Sequence, residues 1–191
     1  MPGRVTLREI RDEDLEDVYY FLSSNFDPEL KLDIWHSAFR HPWMPEKPNN
    51  GFMLEVNGTV VGVICALYSQ RQTKKGIRNV CGNSTWYVLD TYRSHSLQLM
   101  AALLGQKGFF FTALSVTQEL YEIHRRFKFQ SKVTTLIAIP NLPRLNYFSK
   151  KMETLVAPES IGRCLDSKNR QISIDHMDIP TIQQIVFRVS N

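Results

Sequence analysis

The stretch of sequence that decides the fold lies at residues 86–104 and reads WYVLDTYRSHSLQLMAALL. It begins as a β-strand that ends at Val88 and Leu89, and a polar turn follows. A helix is predicted next, because apolar residues recur at i, i+3, i+4 and i+7 spacing. These residues are Leu97, Met100, Ala101 and Leu104.

A strand that passes through a polar turn into a helix is chemically informative. The first backbone N–H groups of a helix have no intrahelical partner, and the helix dipole favours negative charge beside them. Arg93 stands next to this turn and can add a charge-assisted contact. The pattern therefore predicts an anion-binding site, with an ordinary strand–helix junction and a solvated arginine as the alternative.

Length and composition predict one compact domain over residues 1–191. Hydrophobic residues make up 43% of the chain and charged residues 22%, which are values typical of globular proteins. The sequence contains no apolar run long enough to span a membrane, and its first residues lack the apolar centre of a signal peptide. We therefore expect a cytoplasmic protein with no membrane partner.

The cysteines indicate neither a disulfide framework nor a zinc site. There are three, Cys65, Cys81 and Cys164, and they are widely spaced without a C-x-x-C pair. Cys65 and Cys81 fall in strand-like runs, so we expect them to be core residues. No metal site is predicted.

Charge is distributed unevenly along the chain. Residues 1–50 carry 6 Lys and Arg against 10 Asp and Glu, whereas residues 51–130 carry 9 against 4. The basic middle contains the predicted anion site and would attract a polyanionic ligand, while the acidic N-terminal part would favour an amine. Nucleic acid ranks low as a partner, because neither zinc-finger spacing nor an RNA-binding strand motif is present.

The patterns along the chain predict alternating strands and helices. The hairpin at 51–67 is the clearest of these signals, because Asn57-Gly58 is a tight-turn dipeptide between two strand-like runs. Strands are predicted at 5–10, 51–56, 59–67, 83–89, 109–116, 133–139 and 182–189, and helices at 12–22, 29–39, 97–104, 118–127 and 144–155.

Three further details of this order are open to test. Asp12 is placed to cap the first helix, whose apolar residues are Leu15, Val18, Tyr19 and Leu22. Residues 41–50 read as a loop. Residues 69–79 are predicted to be a polar connection between strands, with a basic rim as the alternative interpretation.

The turn after the strand resembles the acyl-CoA-binding signature of the GNAT superfamily of N-acyltransferases, V-x-P-x-Y-R-G-x-G-x-G/A. In that signature the loop amides hold the CoA pyrophosphate. Val88, Tyr92 and Arg93 match it, and Gln98, which stands where a small residue is expected, would either fill the pyrophosphate space or hydrogen-bond to it. The resemblance implies that acetyl-CoA or another acyl-CoA is the co-substrate and contacts Val88, Arg93, Ser94, His95, Ser96, Leu97, Gln98 and Thr117.

A second stretch, at residues 117–129, resembles the N-x-x-A-x-x-L-Y-x-x-x-G-F motif that follows the fifth strand in the same superfamily. The tyrosine of that motif often protonates the departing CoA thiolate, and His124 stands in its place. An imidazole can do the same, since its pKa lies near working pH. The resemblance therefore implies His124 as the catalytic residue, with Tyr121 as the second candidate. Packing on the apolar face of the helix is the alternative role for His124.

The resemblance covers about residues 4–139 and implies an α/β (α+β) fold. Its mixed, mostly antiparallel sheet is flanked by helices, and its fourth and fifth strands splay apart to admit the acyl-pantetheine arm. A backbone N–H near Val88 would polarise the thioester carbonyl. Many members carry a catalytic Glu on the fourth strand, but residues 83–87 offer no carboxylate, so Glu55 or water would have to serve as the base.

The function predicted from these features is transfer of an acyl group, with acetyl as the expected group, from acyl-CoA to a small-molecule or peptide amine. The alternative is a catalytically degenerate GNAT-fold module that binds CoA or a protein partner without turnover. Nucleophile-elbow, phosphate-loop and zinc-protease motifs are absent from the sequence. The oligomeric state stays open, with a homodimer as one alternative.

Overall fold

The computed structural model describes residues 3–40, 46–114, 116–132, 152–179 and 182–189. The chain divides into two compact units, Met1–Lys128 and Phe129–Asn191. The first unit contains a five-stranded sheet with helices on both faces, and the second contains a two-stranded sheet and short helices. Residues 41–45 of the predicted loop and the predicted strand at 133–139 lie outside the described residues.

The five described strands of the first unit follow one another across the sheet in chain order. Neighbouring strands are antiparallel except β4 and β5, which are parallel. This confirms the predicted α/β class and the mixed, mostly antiparallel sheet. The strands are β1 (Val5–Glu9), β2 (Gly51–Val56), β3 (Thr59–Thr73), β4 (Gly76–Val88) and β5 (Phe109–Thr112).

The tight turn between β2 and β3 forms where the sequence places it. Asn57 and Gly58 have φ angles of 50° and 79°, so both central residues of the turn are left-handed. A two-residue hairpin turn of this kind matches the twist of the flanking strands. Val56 and Thr59 close the ladder on either side of it, which confirms the predicted hairpin and its tight turn.

Helices pack on both faces of the sheet, and the start of the first helix differs from the prediction. Asp12 does not cap it; Asp12–Asp14 form a 3₁₀ turn, and Asp14 Oδ2 accepts the Arg11 N–H at 2.8 Å. Asp14 thus reaches back to the amide that precedes the turn, and no described side chain caps α1. The helices of this unit are α1 (Leu15–Asn25), α2 (Leu32–Arg40), α3 (Ser96–Leu104) and α4 (Gln118–Arg126).

The hydrophobic core lies in two layers, one on each face of the sheet. One layer packs α3 against β2, β3 and β4, and the other packs α1 and α2 against the opposite face. The buried side of α3 differs from the prediction: Leu97 is 51% exposed and Ala101 is exposed. The buried face consists of Leu99, Met100 and Leu103. Because nearly every position of α3 is apolar, the spacing of apolar residues alone does not show which face of the helix is buried.

Residues 69–79 are not an irregular connection. β3 continues to Thr73, and β4 begins at Gly76, so the two strands form one long hairpin that pairs as far as Thr73 and Gly76. Only Lys74 and Lys75 lie between the strands. The prediction was wrong because polar side chains on both faces hide the strand signal when neither face is buried.

The second unit contains β6 (Met152–Leu155), α5 (Pro158–Cys164), α6 (Ser167–His176) and β7 (Val186–Val189). β6 and β7 pair antiparallel, from Met152 with Val189 to Leu155 with Val186. The end of the predicted helix at 144–155 is therefore a strand, and the rest of that helix lies outside the described residues. The predicted closing strand at 182–189 is shorter than expected and finds its partner in β6.

Candidate active site between two parting strands

The candidate site begins where β4 and β5 stop pairing. The parallel ladder runs from Asn79 and Phe109 to Gly82 and Thr112, and β5 then ends. β4 continues to Val88 with β3 as its only described strand neighbour. Among the described residues, no strand pairs with the outer edge of residues 83–88, and we call the place beside them the gap; it agrees with the splayed strands that the resemblance implies.

An irregularity in β4 marks the start of this gap. Ile64 pairs with Trp86 and Ala66 pairs with Asn83, so β4 has one residue more than β3 between the two pairs. An extra residue of this kind bends the strand, increases its twist and re-aims the side chains beside it. The bulge thus contributes to turning the end of β4 away from β5.

The edge of β4 that faces the gap carries backbone donors. The Leu89 N–H donates to the Val61 carbonyl at 3.0 Å, and Gly62 lies opposite Val88. Because amides alternate sides along an antiparallel strand, the N–H groups of Val88 and Trp86 point away from β3. Val88 itself is 6% exposed. Its amide is thus directed toward the gap from a well-buried strand end.

The turn after β4 is wound so tightly that some of its amides bond within the turn. Residues 90–95 form a 3₁₀ turn that leads directly into α3. The Tyr92 N–H donates to the Leu89 carbonyl at 2.8 Å, and the Ser96 N–H donates to the Arg93 carbonyl. In this conformation these two loop amides serve the turn itself.

The side chains of the turn are at or near the surface. Arg93 is exposed and forms an ion pair with Asp90 at 2.8 Å. Since exposed ion pairs contribute little, Arg93 can turn toward another anion at small cost. The Gln98 Nε2 group donates to His95 Nδ1 at 3.2 Å. Of the remaining positions named in the sequence, Ser94 and Leu97 are exposed, whereas His95 and Ser96 are half-buried.

His124 connects α4 to β4 and is 4% exposed. Its Nδ1 lies 2.8 Å from the Leu120 carbonyl, and its Nε2 lies 3.2 Å from Asn83 Nδ2. A carbonyl only accepts, so Nδ1 carries the proton and the neutral ring accepts from Asn83 through Nε2. The edge of the ring faces Trp86, with centroids 6.3 Å apart. Both ring nitrogens therefore have partners within the protein.

Asn83 is the residue of this site that the sequence argument did not single out. It is the first residue of β4 beyond the pairing with β5, and it reaches His124 across the gap. Its Oδ1 is buried and has no hydrogen-bond partner among the described residues, which is a costly state for an amide oxygen. No local signal distinguishes it, because Ser84 and Thr85 beside it on β4 are also polar.

The other predicted positions of α4 lie near its start. Thr117 is the N-cap, and its hydroxyl accepts the Leu120 N–H at 3.4 Å. This local role accounts for Thr117 without a ligand. Tyr121 is half-buried one turn before His124 on a neighbouring side of the helix.

Glu55, which the sequence offered as a substitute base, is bound in a charge network. Arg8 lies between two carboxylates and donates to Glu55 at 2.6 Å and to Asp14 at 2.7 Å. The hydrogen bond from Arg8 lowers the pKa of Asp14 below its ordinary value. These residues hold β1, the 3₁₀ turn and β2 together, so Glu55 has a structural role.

Cys65 and Cys81 are buried, which confirms their assignment to the core. Burial raises the pKa of both thiols to about 12, so neither is a thiolate nucleophile at neutral pH. Among the described residues, no group of three or more His, Cys, Asp and Glu side chains is placed to hold a metal ion. None of the described helices has the length and apolar character needed to cross a membrane.

Comparisons with known proteins agree with the fold. No protein-family model and no curated protein matches the sequence. Among solved structures, the chain is similar to an acetyltransferase from Trypanosoma brucei, with 15% identity and a TM-score of 0.51, over 71% of this chain and 99% of that one. It is also similar to a transcriptional regulator from Bacillus halodurans, with 16% identity and a TM-score of 0.50, over 71% and 99% of the two chains. At these identities the similarity establishes the fold, and the predicted GNAT fold is confirmed.

Proposed function

We propose that this GNAT-fold chain is a divergent acyl-CoA-dependent N-acyltransferase that transfers acetyl from acetyl-CoA to an amine. The observation that carries the proposal is the separation of β4 from β5 after Gly82. It leaves a strand edge with outward N–H groups beside a gap, and the same strand runs into the turn before α3. An extended amide-bearing arm can pair with such an edge while its anionic end lies at the turn.

The turn would hold the pyrophosphate of the co-substrate. Arg93 would exchange its exposed partner Asp90 for a phosphate oxygen, which gives a stronger charge-assisted contact. Ser94 and Ser96 would donate through their hydroxyls, and Gln98 would have to leave His95 to reach the ligand. His95, Leu97 and Thr117 would complete the surroundings of the nucleotide part.

The chemistry would be direct transfer. The amine nitrogen attacks the thioester carbon, the C–N bond forms, the C–S bond breaks, the nitrogen loses a proton and the CoA thiolate gains one. The Val88 N–H would stabilise the negative charge that develops on the carbonyl oxygen. Alignment of amine and thioester in the gap would supply a large share of the rate enhancement.

His124 is the proposed proton donor to the thiolate, with Tyr121 as the second candidate. To act, His124 Nε2 must be protonated and must exchange Asn83 for the sulfur, which costs about one hydrogen bond, on the order of 1 kcal/mol. Its Nδ1–H bond to the Leu120 carbonyl would keep the ring oriented during this exchange. Because Glu55 is engaged with Arg8, the amine proton would leave through water.

A non-catalytic module on the same fold is the second candidate function. The observation that favours it is that both ring nitrogens of His124 are bonded within the protein, while β4 carries no carboxylate at 83–88. Such a module would bind CoA, or a protein partner, without turnover.

Calorimetry separates binding from its absence. The purified chain is titrated with acetyl-CoA, free CoA and ATP, and Arg93→Gln is compared with Arg4→Gln, which removes an exposed arginine from outside the site. We expect both CoA forms to bind more tightly than ATP and only Arg93→Gln to weaken them, by about tenfold. Absence of heat and of thermal stabilisation with every CoA form would overturn the proposal.

A turnover assay separates enzyme from module. Thiol release from acetyl-CoA is followed with polyamines, amino acids and peptides that carry a free N-terminal amine. Turnover with any of these acceptors supports the transferase. CoA binding with no thiol release across the whole panel supports the module.

A further inference from the structure

In the part of the chain that the structure describes, the outer edge of β3 in the long β3–β4 hairpin is open. β2 accompanies β3 as far as Cys65, and the Ala66 N–H donates to the Asn50 carbonyl at 3.0 Å. From Leu67 to Thr73, β4 is the only described strand that pairs with β3. Because the Ala66 amide points outward, alternation also directs the amides of residues 68, 70 and 72 outward. Residues 70–75 are exposed, so this edge is accessible to solvent.

The same hairpin carries one sign of charge. Residues 56–89 contain four cations, Arg71, Lys74, Lys75 and Arg78, and no Asp or Glu. None of the four forms an ion pair with another described residue. Arg71 lies directly opposite Arg78 in the ladder, on the same face. Like charges in directly opposed positions are destabilising, so the pair has a cost that an anionic partner would remove.

Apolar surface flanks these cations. The Arg78 guanidinium lies over the Phe110 ring of β5, 5.7 Å from its centroid, and 58% of Phe110 is exposed. On the other face of the hairpin, Ile77 is 63% exposed. The face that carries Arg71 and Arg78 therefore combines positive charge with apolar contact area, and Ile77 adds apolar area on the other face.

We propose that the outer edge of β3 from Leu67 to Thr73 is a docking site for an extended acidic peptide that adds as a further strand. The backbone edge would supply main-chain hydrogen bonds, and Arg71 and Arg78 would bind acidic side chains on one face. The free edge favours a peptide over a nucleic acid, and the Phe110 ring, already covered on one side by Arg78, is a poor base-stacking platform. This site is separate from the acyl-transfer proposal.

The test uses a fluorescent, capped peptide of about eight residues in which glutamate and valine alternate, read by anisotropy. Two matched peptides serve as controls: one replaces every glutamate by lysine, and one keeps the sequence but methylates alternate backbone nitrogens. We expect only the unmethylated acidic peptide to bind. We also expect it to slow hydrogen exchange of the Gln70 and Gln72 amides, which a purely electrostatic contact would not do.

Variants of the chain test the two parts of the site. Arg71→Gln with Arg78→Gln should weaken binding by about tenfold or more, whereas Arg4→Gln with Lys168→Gln removes the same charge elsewhere and should not. Gln70→Pro should weaken it by about fivefold, since proline removes one outward N–H, while Gln70→Ala removes the same side chain and keeps that N–H.

A last variant shows whether a loss of peptide binding could come from a damaged hairpin. Arg71→Glu converts the like-charged pair into an attractive one, so it should raise the Tm while it weakens peptide binding. Equal binding of the acidic and lysine peptides would overturn the proposal. So would unchanged affinity in the double arginine variant, or binding of a single-stranded oligonucleotide in place of the acidic peptide.

Discussion

Replacement of Arg8 by leucine tests the charge network that ties the first turn to the sheet. The guanidinium donates to Glu55 at 2.6 and 2.9 Å and to Asp14 at 2.7 and 2.8 Å. Leucine removes all four hydrogen bonds and leaves two carboxylates without their cation. The side chains of these acids are only 10% and 16% exposed, so water replaces the lost partner incompletely.

The expected loss follows from that burial. Removal of one partner from a buried ion pair costs about 3–5 kcal/mol, because an uncompensated charge stays behind. Arg8 itself is 40% exposed, which weakens the network through solvent screening. We therefore expect the free energy of unfolding to fall by about 2–3 kcal/mol at neutral pH, which is less than a fully buried pair would lose.

The pH dependence of this loss has a definite sign. Arg8 lowers the pKa of Asp14, so its stabilisation is present above the unfolded value of about 4 and disappears as pH falls through the lower folded value. In Arg8→Leu the buried Asp14 carboxylate loses its hydrogen bonds from the guanidinium, so burial favours the protonated form in the folded protein. The difference between variant and wild type should therefore shrink on acidification.

The measurement is urea unfolding of both proteins at about pH 7 and about pH 3, above and below the unfolded carboxylate value of about 4. Arg4→Leu, which alters an exposed arginine beside β1, is the matched control and should change stability little. A loss of less than about 1 kcal/mol, or a loss that does not depend on pH, would refute the argument, since it would mean that the two carboxylates are well solvated.

Three further predictions concern the candidate site. Gly62→Ala places a Cβ 2.9 Å from Val88 Cγ2, so a loss of about 1–3 kcal/mol in unfolding free energy is expected by thermal denaturation; wild-type stability would mean that Val88 moves freely. His124→Phe should keep CoA affinity and lower turnover on the order of 10²-fold if His124 is the proton donor, while Tyr121→Phe should not; equal turnover in His124→Phe and wild type would exclude that role. Gln98→Ala should weaken CoA binding by about 1 kcal/mol in calorimetry if its amide reaches the pyrophosphate, and tighten it if the side chain fills that space; an unchanged affinity would place Gln98 away from the ligand.

Local chemistry explains which parts of the fold the sequence predicts. Asn57-Gly58 specifies its turn through the left-handed conformation that this dipeptide accepts. The strand, turn and helix from 86 to 104 follow from a change in the spacing of apolar residues along the sequence. The buried face of α3 does not follow, because apolar residues surround that helix. The strands through 69–79 do not follow either, because no face of the hairpin is buried enough to impose alternation.

The candidate site was predictable in its location and less so in its contacts. The end of β4 and the start of α3 lie where the motif places them, since backbone geometry positions both. The bond between Asn83 and His124 joins residues 41 positions apart, and no local pattern contains that information. Likewise, the engagement of Glu55 by Arg8 depends on strand pairing over 47 residues.

The parting of β4 from β5 has a consequence for aggregation. Residues 83–88 read NSTWYV, which combines high β-propensity with no charge, no proline and no glycine. His124 of α4 contacts this segment at Asn83 and Trp86, while the N–H groups of Trp86 and Val88 still point away from β3 toward the gap. Such an edge is a ready template for another chain. Amyloid-like pairing of two such edges from a nearly native state is thus the hazard that accompanies a gap in the sheet.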